Sequence, residues 1–200
     1  MIDMVNIRHF QPESDAKQVH DLWINGLEQT IKSKSSVFRP IWKIFFHIMA
    51  CNAVASNGDV GPNGQNLFSH WCEDKENRCL LVSEKKCFVP NEEECKIVGC
   101  IAVIRGTDSR VEAKFTEEQS TFFSVWKMSV AEECRRHGIG TKLLEAGEKW
   151  AADNGCKKMK IVTANPIASQ FYQNQGYKPI DSNILFAWLG GWHEKEIQKS

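Results

Sequence analysis

The 200-residue sequence has no excess of charge of either sign, since 25 Lys and Arg balance 25 Asp and Glu. A chain that is neutral overall has no general attraction to nucleic acid or anionic membranes, and no basic stripe interleaved with aromatic residues is present. Internal repeats, linkers and low-complexity segments are also absent from the sequence. We therefore expect a single domain over residues 1–200, large enough for a hydrophobic core, and no nucleic-acid partner.

The eight cysteines contain no C-x-x-C pair, so zinc-ligand spacing is missing. The spacing His70-x-Cys72 comes nearest to it. The first residues lack the basic start and apolar stretch of a secretion signal, so a disulfide framework is not indicated. We expect reduced, mostly buried thiols, no metal and a cytoplasmic location.

Long apolar runs are missing too. Residues 38–55 are the most apolar stretch, but Lys43, His47 and Asn52 interrupt it, so it falls short of the ~18–20 residues that span a bilayer. Three interpretations stay open: a helix buried against the sheet, a wall of a substrate pocket, or a helix on a membrane surface. The first two are favoured, and we do not expect membrane contact.

Apolar periodicity and turn residues predict an α/β order of elements. Residues 84–96 are predicted to connect two strands with a turn at Pro90-Asn91, and residues after 189 to form a polar tail. The predicted strands are 5–10, 79–83, 97–104, 121–130, 158–164 and 183–189, and the first helix is 15–31.

Two predicted helices have clear apolar faces. In the second helix, Glu145 and Lys149 are predicted to form an outward i,i+4 pair. The face of the first helix comprises Val19, Leu22, Trp23, Gly26, Leu27 and Ile31, and that of the second comprises Leu143, Leu144, Gly147, Trp150 and Ala151.

The most informative segment predicts a strand, a basic loop with two glycines, and a helix in direct succession. Gly138 and Gly140 allow the backbone to approach a ligand without an intervening Cβ. The unpaired N–H groups and the positive dipole end of the helix point at the same place, which favours a phosphate or pyrophosphate. Further positive charge comes from Arg135, Arg136 and Lys142.

Spacing excludes two common phosphate-binding loops. A P-loop needs lysine directly after its second glycine, whereas Thr141 separates Gly140 from Lys142. A dinucleotide fingerprint needs a third glycine where Leu143 stands. Its first glycine also follows the strand directly, whereas here seven residues separate Val130 from Gly138.

The pattern Arg135-x-x-Gly138-x-Gly140 resembles the R/Q-x-x-G-x-G/A signature of the GNAT superfamily of acyl-CoA N-acyltransferases. A second segment downstream resembles the family's N-x-x-A-x-x-F-Y-x-x-x-G-F/Y element. Its matching residues are Asn165, Ala168, Phe171, Tyr172, Gly176 and Tyr177. The resemblance is strongest over residues 97–177.

The second segment also has the end signals of a helix. Asn165 stands at the N-cap, Pro166 at the first helical position and Gly176 at C′. Capping and packing explain each residue singly, but not the arrival of both motifs in order.

The resemblance implies a central mixed, mostly antiparallel sheet of six to seven strands, splayed in the middle and flanked by four to five helices. It implies an acetyl-CoA-dependent N-acetyltransferase, in which a primary amine of a small molecule or peptide attacks the thioester directly in a ternary complex. Overall the protein would be a monomer or homodimer.

The resemblance also implies a set of site residues. The pyrophosphate would rest on the backbone N–H groups of Arg136 through Thr141, and the backbone N–H of Val130 or Met128 would polarise the thioester carbonyl. Tyr172 would be the general acid for the departing thiolate. The expected acetyl-CoA-binding residues are Met128, Ser129, Val130, Arg135, Arg136, His137, Gly138, Ile139, Gly140, Thr141 and Asn165.

The general base stays open. Residues 124–130 contain neither Glu nor His, so Glu28, His9, Glu118 or a water chain are the alternatives. This lack also leaves open a non-catalytic CoA-binding or sensing module.

The start Ile7-Arg8-x-Phe10 and the apolar segment that follows are similar to the camello-like N-acetyltransferases. Lys127 stands where that branch has a histidine on the strand. Residues 38–75 would then be a variable insert that forms the acceptor side.

Overall fold

A computed structural model describes residues 5–32, 75–89, 92–106, 122–163, 165–180 and 191–198. The strands are β1 (Asn6–His9), β2 (Arg78–Val89), β3 (Glu92–Arg105), β4 (Phe122–Val130), β5 (Lys158–Thr163), β6 (Lys178–Ile180) and β7 (Gly191–Glu196). The helices are α1 (Pro12–Lys32), α2 (Ile139–Asp153) and α3 (Pro166–Asn174), with a 3-10 turn at Glu132–Cys134.

The seven strands form one sheet in the order β1-β2-β3-β4-β5-β7-β6. All neighbouring pairs among the described strands are antiparallel except β4 and β5. This confirms the predicted mixed, mostly antiparallel sheet. Three α-helices fall within the described residues, against the four to five predicted, and the apolar segment 38–55 lies outside them.

The sheet is splayed between β4 and β5, as predicted. The two strands pair only where Phe122–Val125 lies beside Lys158–Ile161, whereas β3 accompanies β4 as far as Val130. A register shift leaves Trp126 opposite no residue of β3. Such a bulge bends a strand, and here it coincides with the point where β4 leaves β5.

Both faces of the sheet carry a hydrophobic core. The α1 face holds Val19 and Trp23 of the helix against β2 and β3, with Val82, Cys100 and Ala102 fully buried beneath them. The opposite face packs against α2 and α3 through Ile101, Val103, Phe123, Leu143, Leu144, Met159, Ile161, Tyr172 and Tyr177.

The start of α1 is fixed by a buried carboxylate. Asp15 accepts a hydrogen bond from the Gln11 amide at 2.9 Å and pairs with Arg8 at 2.6 Å, and Arg8 also pairs with Glu84 at 2.7 Å. Burial alone would raise the pKa of Asp15, but the hydrogen bonds from Arg8 and Gln11 leave it below its ordinary value. This network ties β1, α1 and β2 together.

The predicted faces of both helices are confirmed where their side chains are described. Val19 and Trp23 of α1 are buried, and Leu22 packs against them. The side chains of Leu27 and Ile31 lie outside the described ones. In α2, Leu143, Leu144, Gly147 and Ala151 are buried and Trp150 packs against the same core.

Glu145 and Lys149 both face outward on α2, as predicted, but the ion pair of Lys149 is formed with another residue. Lys149 Nζ instead lies 3.2 Å from Asp153 Oδ2, one turn further along α2. Both arrangements satisfy i,i+4 spacing, and the order of a carboxylate following a lysine is the one that forms here.

Two predictions for the sheet are also wrong. Residues 84–96 were expected to form a connection, but β2 and β3 continue as paired strands to Val89 and Glu92, and Pro90-Asn91 lies outside the described residues. The expected polar tail contains β7, which pairs with β5 and buries His193. Pairing with a neighbouring strand overrides local polarity in both places. The predicted strand 183–189 lies outside the described residues.

The cysteines with described side chains are free thiols: Cys79, Cys95, Cys100, Cys134 and Cys156. Within the described ranges, no group of three or more His, Cys, Asp or Glu side chains is arranged to hold a metal ion. The spacing His70-x-Cys72 lies outside those ranges.

No helix in the described part of the chain is both long enough and apolar enough to cross a bilayer.

Candidate active site

The free edge of β4 lines the gap opened by the splay. In an antiparallel pair, peptide groups of successive residues face opposite sides. The Ala131 amide donates to the Val98 carbonyl at 2.8 Å, so Ala131 faces β3. The peptide groups of Met128 and Val130 therefore face the gap. A chain entering there would meet backbone donors and acceptors in the arrangement of a missing strand.

The side chain of Ser129, which lies between these two residues, projects from the sheet toward α1. Its Oγ donates to the Leu22 carbonyl of α1 at 3.0 Å, and Gly26 is so close that an added Cβ would come within 2.9 Å of the same oxygen. Ser129 thus positions α1 against β4.

The side chain of Arg135 links the loop to this edge of β4 by a hydrogen bond. Its Nε donates to the Val130 carbonyl at 3.0 Å, while the side chain as a whole stays exposed. The guanidinium therefore lies at the junction of the splay and the loop, with its remaining N–H groups available to a ligand.

The loop backbone presents a row of amides. Arg136 and Gly138 both have positive φ, at 61° and 79°, and α2 starts immediately afterwards at Ile139. The first helical bond runs from the Lys142 amide to the Gly138 carbonyl at 3.0 Å. The amides of residues 136–141 donate to no other residue in the described ranges. A non-glycine residue in the left-handed region is strained, which is typical of ligand-binding turns.

The two carboxylates that precede the loop are directed away from it. Glu132 accepts a hydrogen bond from Gln29 Nε2 at 2.7 Å, and Glu133 pairs with Lys96 at 3.2 Å. Its own backbone amide, and then Lys96, lower the pKa of Glu133. The first turn of α2 contains no acidic residue. The loop therefore has a local positive potential supplied by Arg135, Arg136, Lys142 and the helix dipole.

Gly140 lies where β4, α2 and α3 converge. A Cβ built on it would lie 3.1 Å from Met128 Cε and 3.5 Å from Phe171 Cζ. A larger residue would push the start of α2 away from the splayed strand.

Tyr172 lies on α3 and packs against Met128 of β4 beside this junction. It is only 7% exposed, and its hydroxyl donates to Met128 Sδ at 3.9 Å. Burial raises the pKa of Tyr172 well above its ordinary value, so the phenol keeps its proton at neutral pH. A protonated donor is thus held against the side chain of a residue whose backbone faces the gap.

Asn165 acts as the N-cap of α3. Its Oδ1 accepts a hydrogen bond from the Ile167 amide at 2.9 Å, Pro166 follows it, and Gly176 has the positive φ of 87° expected after the helix. The capping pattern read from the sequence is confirmed. The side-chain amide nitrogen of Asn165 remains available to a ligand at this corner.

A cleft of about 440 Å³ lies between α1 and the end of β4. Its walls include Glu28, Ser129 and Val130, so this candidate base is close to the splay. His9 lies on β1, separated from β4 by β2 and β3, a distance of about 14 Å at ordinary strand spacing. Glu118 lies outside the described residues.

A cluster that sequence reasoning missed lies on the α1 face of β4. Lys127 Nζ is 3.5 Å from the ring centroid of Trp23 and 4.8 Å from that of Trp126. The signal was the adjacent Trp126-Lys127 pair, but strict alternation assigns neighbouring residues to opposite faces, and only the bulge brings both toward α1.

Comparison with known proteins agrees with this geometry. The profile of the Acetyltransferase (GNAT) family matches residues 53–177. A probable N-acetyltransferase, camello, from Xenopus laevis is 31% identical over 107 residues, covering 52% of this chain and 44% of that protein. The match thus spans less than half the length of that relative.

Solved structures share the fold at low identity. A PaiA N-acetyltransferase from Thermoplasma acidophilum, in complex with coenzyme A, has a TM-score of 0.63 at 14% identity, covering 96% of this chain and 99% of that one. An acetyltransferase of the GNAT family from Staphylococcus aureus Mu50 has a TM-score of 0.59 at 15% identity, covering 98% and 100%.

Proposed function

The chain belongs to the GNAT acetyltransferase family, and we propose that it is an acetyl-CoA-dependent N-acetyltransferase acting on a primary amine of a small molecule or peptide. One observation carries the proposal. The backbone edge of β4 beyond Val125 is released from β5 at the same corner of the sheet where the loop before α2 presents its amides. An extended arm that ends in a diphosphate fits both features at once.

The diphosphate would bind the amides of residues 136–141. Gly138 is open on its ligand side, since a built Cβ there meets no atom within 4 Å. Arg135, Arg136 and Lys142 are exposed around it and supply charge-assisted donors. The absence of a carboxylate in the first turn of α2 supports an anionic ligand at this place.

The pantetheine arm would extend β4 as an added strand. The peptide groups of Met128 and Val130 face the gap, and strand addition uses this kind of unpaired edge. The N–H of one of them would donate to the thioester carbonyl as negative charge develops on that oxygen. Asn165, with its oxygen engaged in the cap, would contribute its amide N–H groups from the other side.

The reaction itself requires one bond to form and one to break. The acceptor nitrogen attacks the thioester carbonyl carbon, the C–S bond breaks, and the nitrogen loses a proton. Tyr172 would donate its phenolic proton to the departing sulfur and regain one from solvent, so that free CoA thiol is released. Its position supports this role, because the hydroxyl lies beside Met128, whose peptide group faces the gap.

The acceptor would come from the α1 face of the sheet. The phosphate loop, α2 and α3 all lie on the opposite face of the sheet. The accessible face for the acceptor would therefore be the one from which the side chains of Lys127 and Ser129 project. Glu28 in the neighbouring cleft, or water, would take the proton.

The decisive experiment mixes the protein with acetyl-CoA and a panel of small amines, amino-acid conjugates and peptides. Thiol release that depends on the amine, with acetylated product detected by mass spectrometry, is the expected result. If no amine is acetylated while acetyl-CoA binds tightly, the transferase assignment fails.

A second function has one observation in its favour. The described strand β4 carries no Glu, Asp or His, so a CoA-binding or sensing module without catalysis is an alternative. The same assay separates the two, because a sensing module binds acetyl-CoA without releasing thiol.

A further inference from the structure

The side chains of Trp23, Trp126 and Lys127 form a cationic cluster on the α1 face of β4. The two indole rings meet edge to face, with centroids 5.7 Å apart, and the ammonium lies over both. Indole faces attract a cation, so the cluster holds the Lys127 ammonium at a fixed place.

This charge is not neutralised by a described neighbour. No described Asp or Glu forms an ion pair with Lys127. The neighbouring titratable group that could affect its charge is the Cys100 thiol on β3. Burial raises the pKa of Cys100 to about 12, so that thiol stays neutral. On β5, Lys160 lies with its Nζ 4.2 Å from the Phe122 ring centroid.

Lys127 itself stays charged at neutral pH. Burial lowers the pKa of Lys127 to about 8, which still leaves most molecules protonated at pH 7. The two indole faces further favour the charged form.

The cluster adjoins the place where the acceptor must react. Lys127 immediately precedes Met128, whose peptide group faces the gap, and its side chain projects to the face left for the acceptor. Trp126 is 38% exposed, so the cluster borders accessible surface.

We propose that Lys127 puts a fixed positive charge in the acceptor subsite, which admits the acceptor only as the uncharged amine and so replaces the side-chain base that β4 lacks. The inference rests on the proposed function. A neighbouring like charge disfavours an alkylammonium, which is the dominant form of most primary amines in solution. The amine then gives its extra proton to bulk water before it binds, and only the proton released during attack has to leave the site.

The kinetic consequence is specific. If only the free amine binds, kcat is independent of pH, and KM rises toward low pH as the free amine becomes scarce. If Lys127 is neutralised, the protonated amine also binds, but unproductively. Then kcat falls toward low pH, whereas kcat/KM at each pH stays close to the wild-type value, because that ratio depends on the free amine in solution in the same way for both enzymes.

The test compares wild type with Lys127→Met, Lys127→Gln and Lys127→Arg, using the best primary alkylamine from the panel between about pH 5.5 and pH 7, where the Lys127 ammonium stays mostly charged. We expect kcat of the Met and Gln variants at pH 7 to fall about tenfold to a hundredfold, with kcat/KM within about threefold of wild type. Lys127→Arg keeps the charge and should keep the wild-type profile. Lys149→Met, an exposed lysine on α2, is the matched control and should change neither parameter.

Binding provides a second readout that needs no turnover. Calorimetry with benzyltrimethylammonium, a permanent cation, on the CoA-loaded protein should show binding to Lys127→Met and none to wild type. Equal binding, or identical kcat profiles in folded wild type and both neutral variants, overturns the proposal. Exclusion of the cation that depends on Lys127, without acetylation of any amine, would leave the cationic subsite standing and remove the transferase.

Discussion

The two halves of β4 have the same strand conformation and opposite roles. Phe122–Val125 is buried and paired on both sides, with β3 and β5. From Trp126 to Val130 the strand is paired with β3 alone and is partly exposed. The first half is core, whereas the second half is an edge that a sheet normally protects or covers.

An unpaired backbone edge can thus lie inside a sheet, between two of its strands. One extra residue at the bulge turns β4 away from β5 while the parallel pairing before it holds the two strands in register. The opening is therefore a property of strand pairing, and it faces the loop before α2 because that loop continues the same strand. Four substitutions test this division, from the largest expected effect to the smallest.

Gly138→Glu tests the ligand end of the splayed half. The side chain would place a carboxylate against the diphosphate, and repulsion between unit charges at close range is worth about 4 kcal/mol at an effective dielectric of 20. We expect the Kd for CoA, measured by calorimetry, to rise roughly a thousandfold. Gly138→Asn, which tolerates the positive φ of 79° without adding charge, is the control and should bind within about tenfold of wild type. Tight binding by the Glu variant would contradict the assigned site.

Phe123→Ala tests the paired half. Phe123 is fully buried and stacks edge to face on Trp150 at 5.5 Å, so its truncation should lower the free energy of unfolding by about 3–5 kcal/mol. Met128→Ala, in the splayed half, should lower it by less than about 2 kcal/mol because the side chain is only partly buried. Urea unfolding measures both, and equal losses would mean that the two halves do not differ in the way described.

Tyr172→Phe removes the proposed acid and leaves the ring. Loss of a positioned proton donor should lower kcat about a hundredfold, with the KM for acetyl-CoA changed less than threefold. Tyr177→Phe is the matched control, because the chain has two tyrosines and Tyr177 donates to Glu148 at 2.9 Å, away from the gap. That variant should lose stability while keeping its turnover. An unchanged kcat in Tyr172→Phe would reduce Tyr172 to a packing residue.

Asn165→Ala should have the smallest effect, a loss of about 1 kcal/mol in unfolding free energy from the missing cap. Asn165→Asp can restore the cap but not the side-chain amide. If Asn165 also binds the pantetheine arm, the Asp variant regains thermal stability yet keeps a raised acetyl-CoA KM. Full recovery of both would limit Asn165 to capping.

Local signals in the sequence predicted local structure well. Asn165 and Gly176 marked the ends of α3 because capping depends on the residues at the ends themselves. The buried face of α2 followed from helical spacing alone. The predictions that failed depended on partners elsewhere in the chain. Residues 84–89, 92–96 and 191–196 look polar, and only β-pairing makes them strands.

The candidate site divides along the same line. The loop glycines and Tyr172 were predicted as site residues because the motifs fix their order and spacing, and their roles stay predictions. The cationic cluster was not found, since Trp23 and Lys127 are a hundred positions apart and meet only when α1 packs on β4. The distance of the candidate base His9 from the splay likewise follows from the sheet order, which puts two strands between that residue and β4.

By itself, the sequence determined the family, the glycine-containing turn before α2 and the helix ends, because each is encoded in residues that are close along the chain. The tertiary structure decided where β4 parts from β5, which peptide groups face the opening, and which charge stands beside it. Those features depend on strand register and on packing between distant segments, and residue spacing along the chain contains neither.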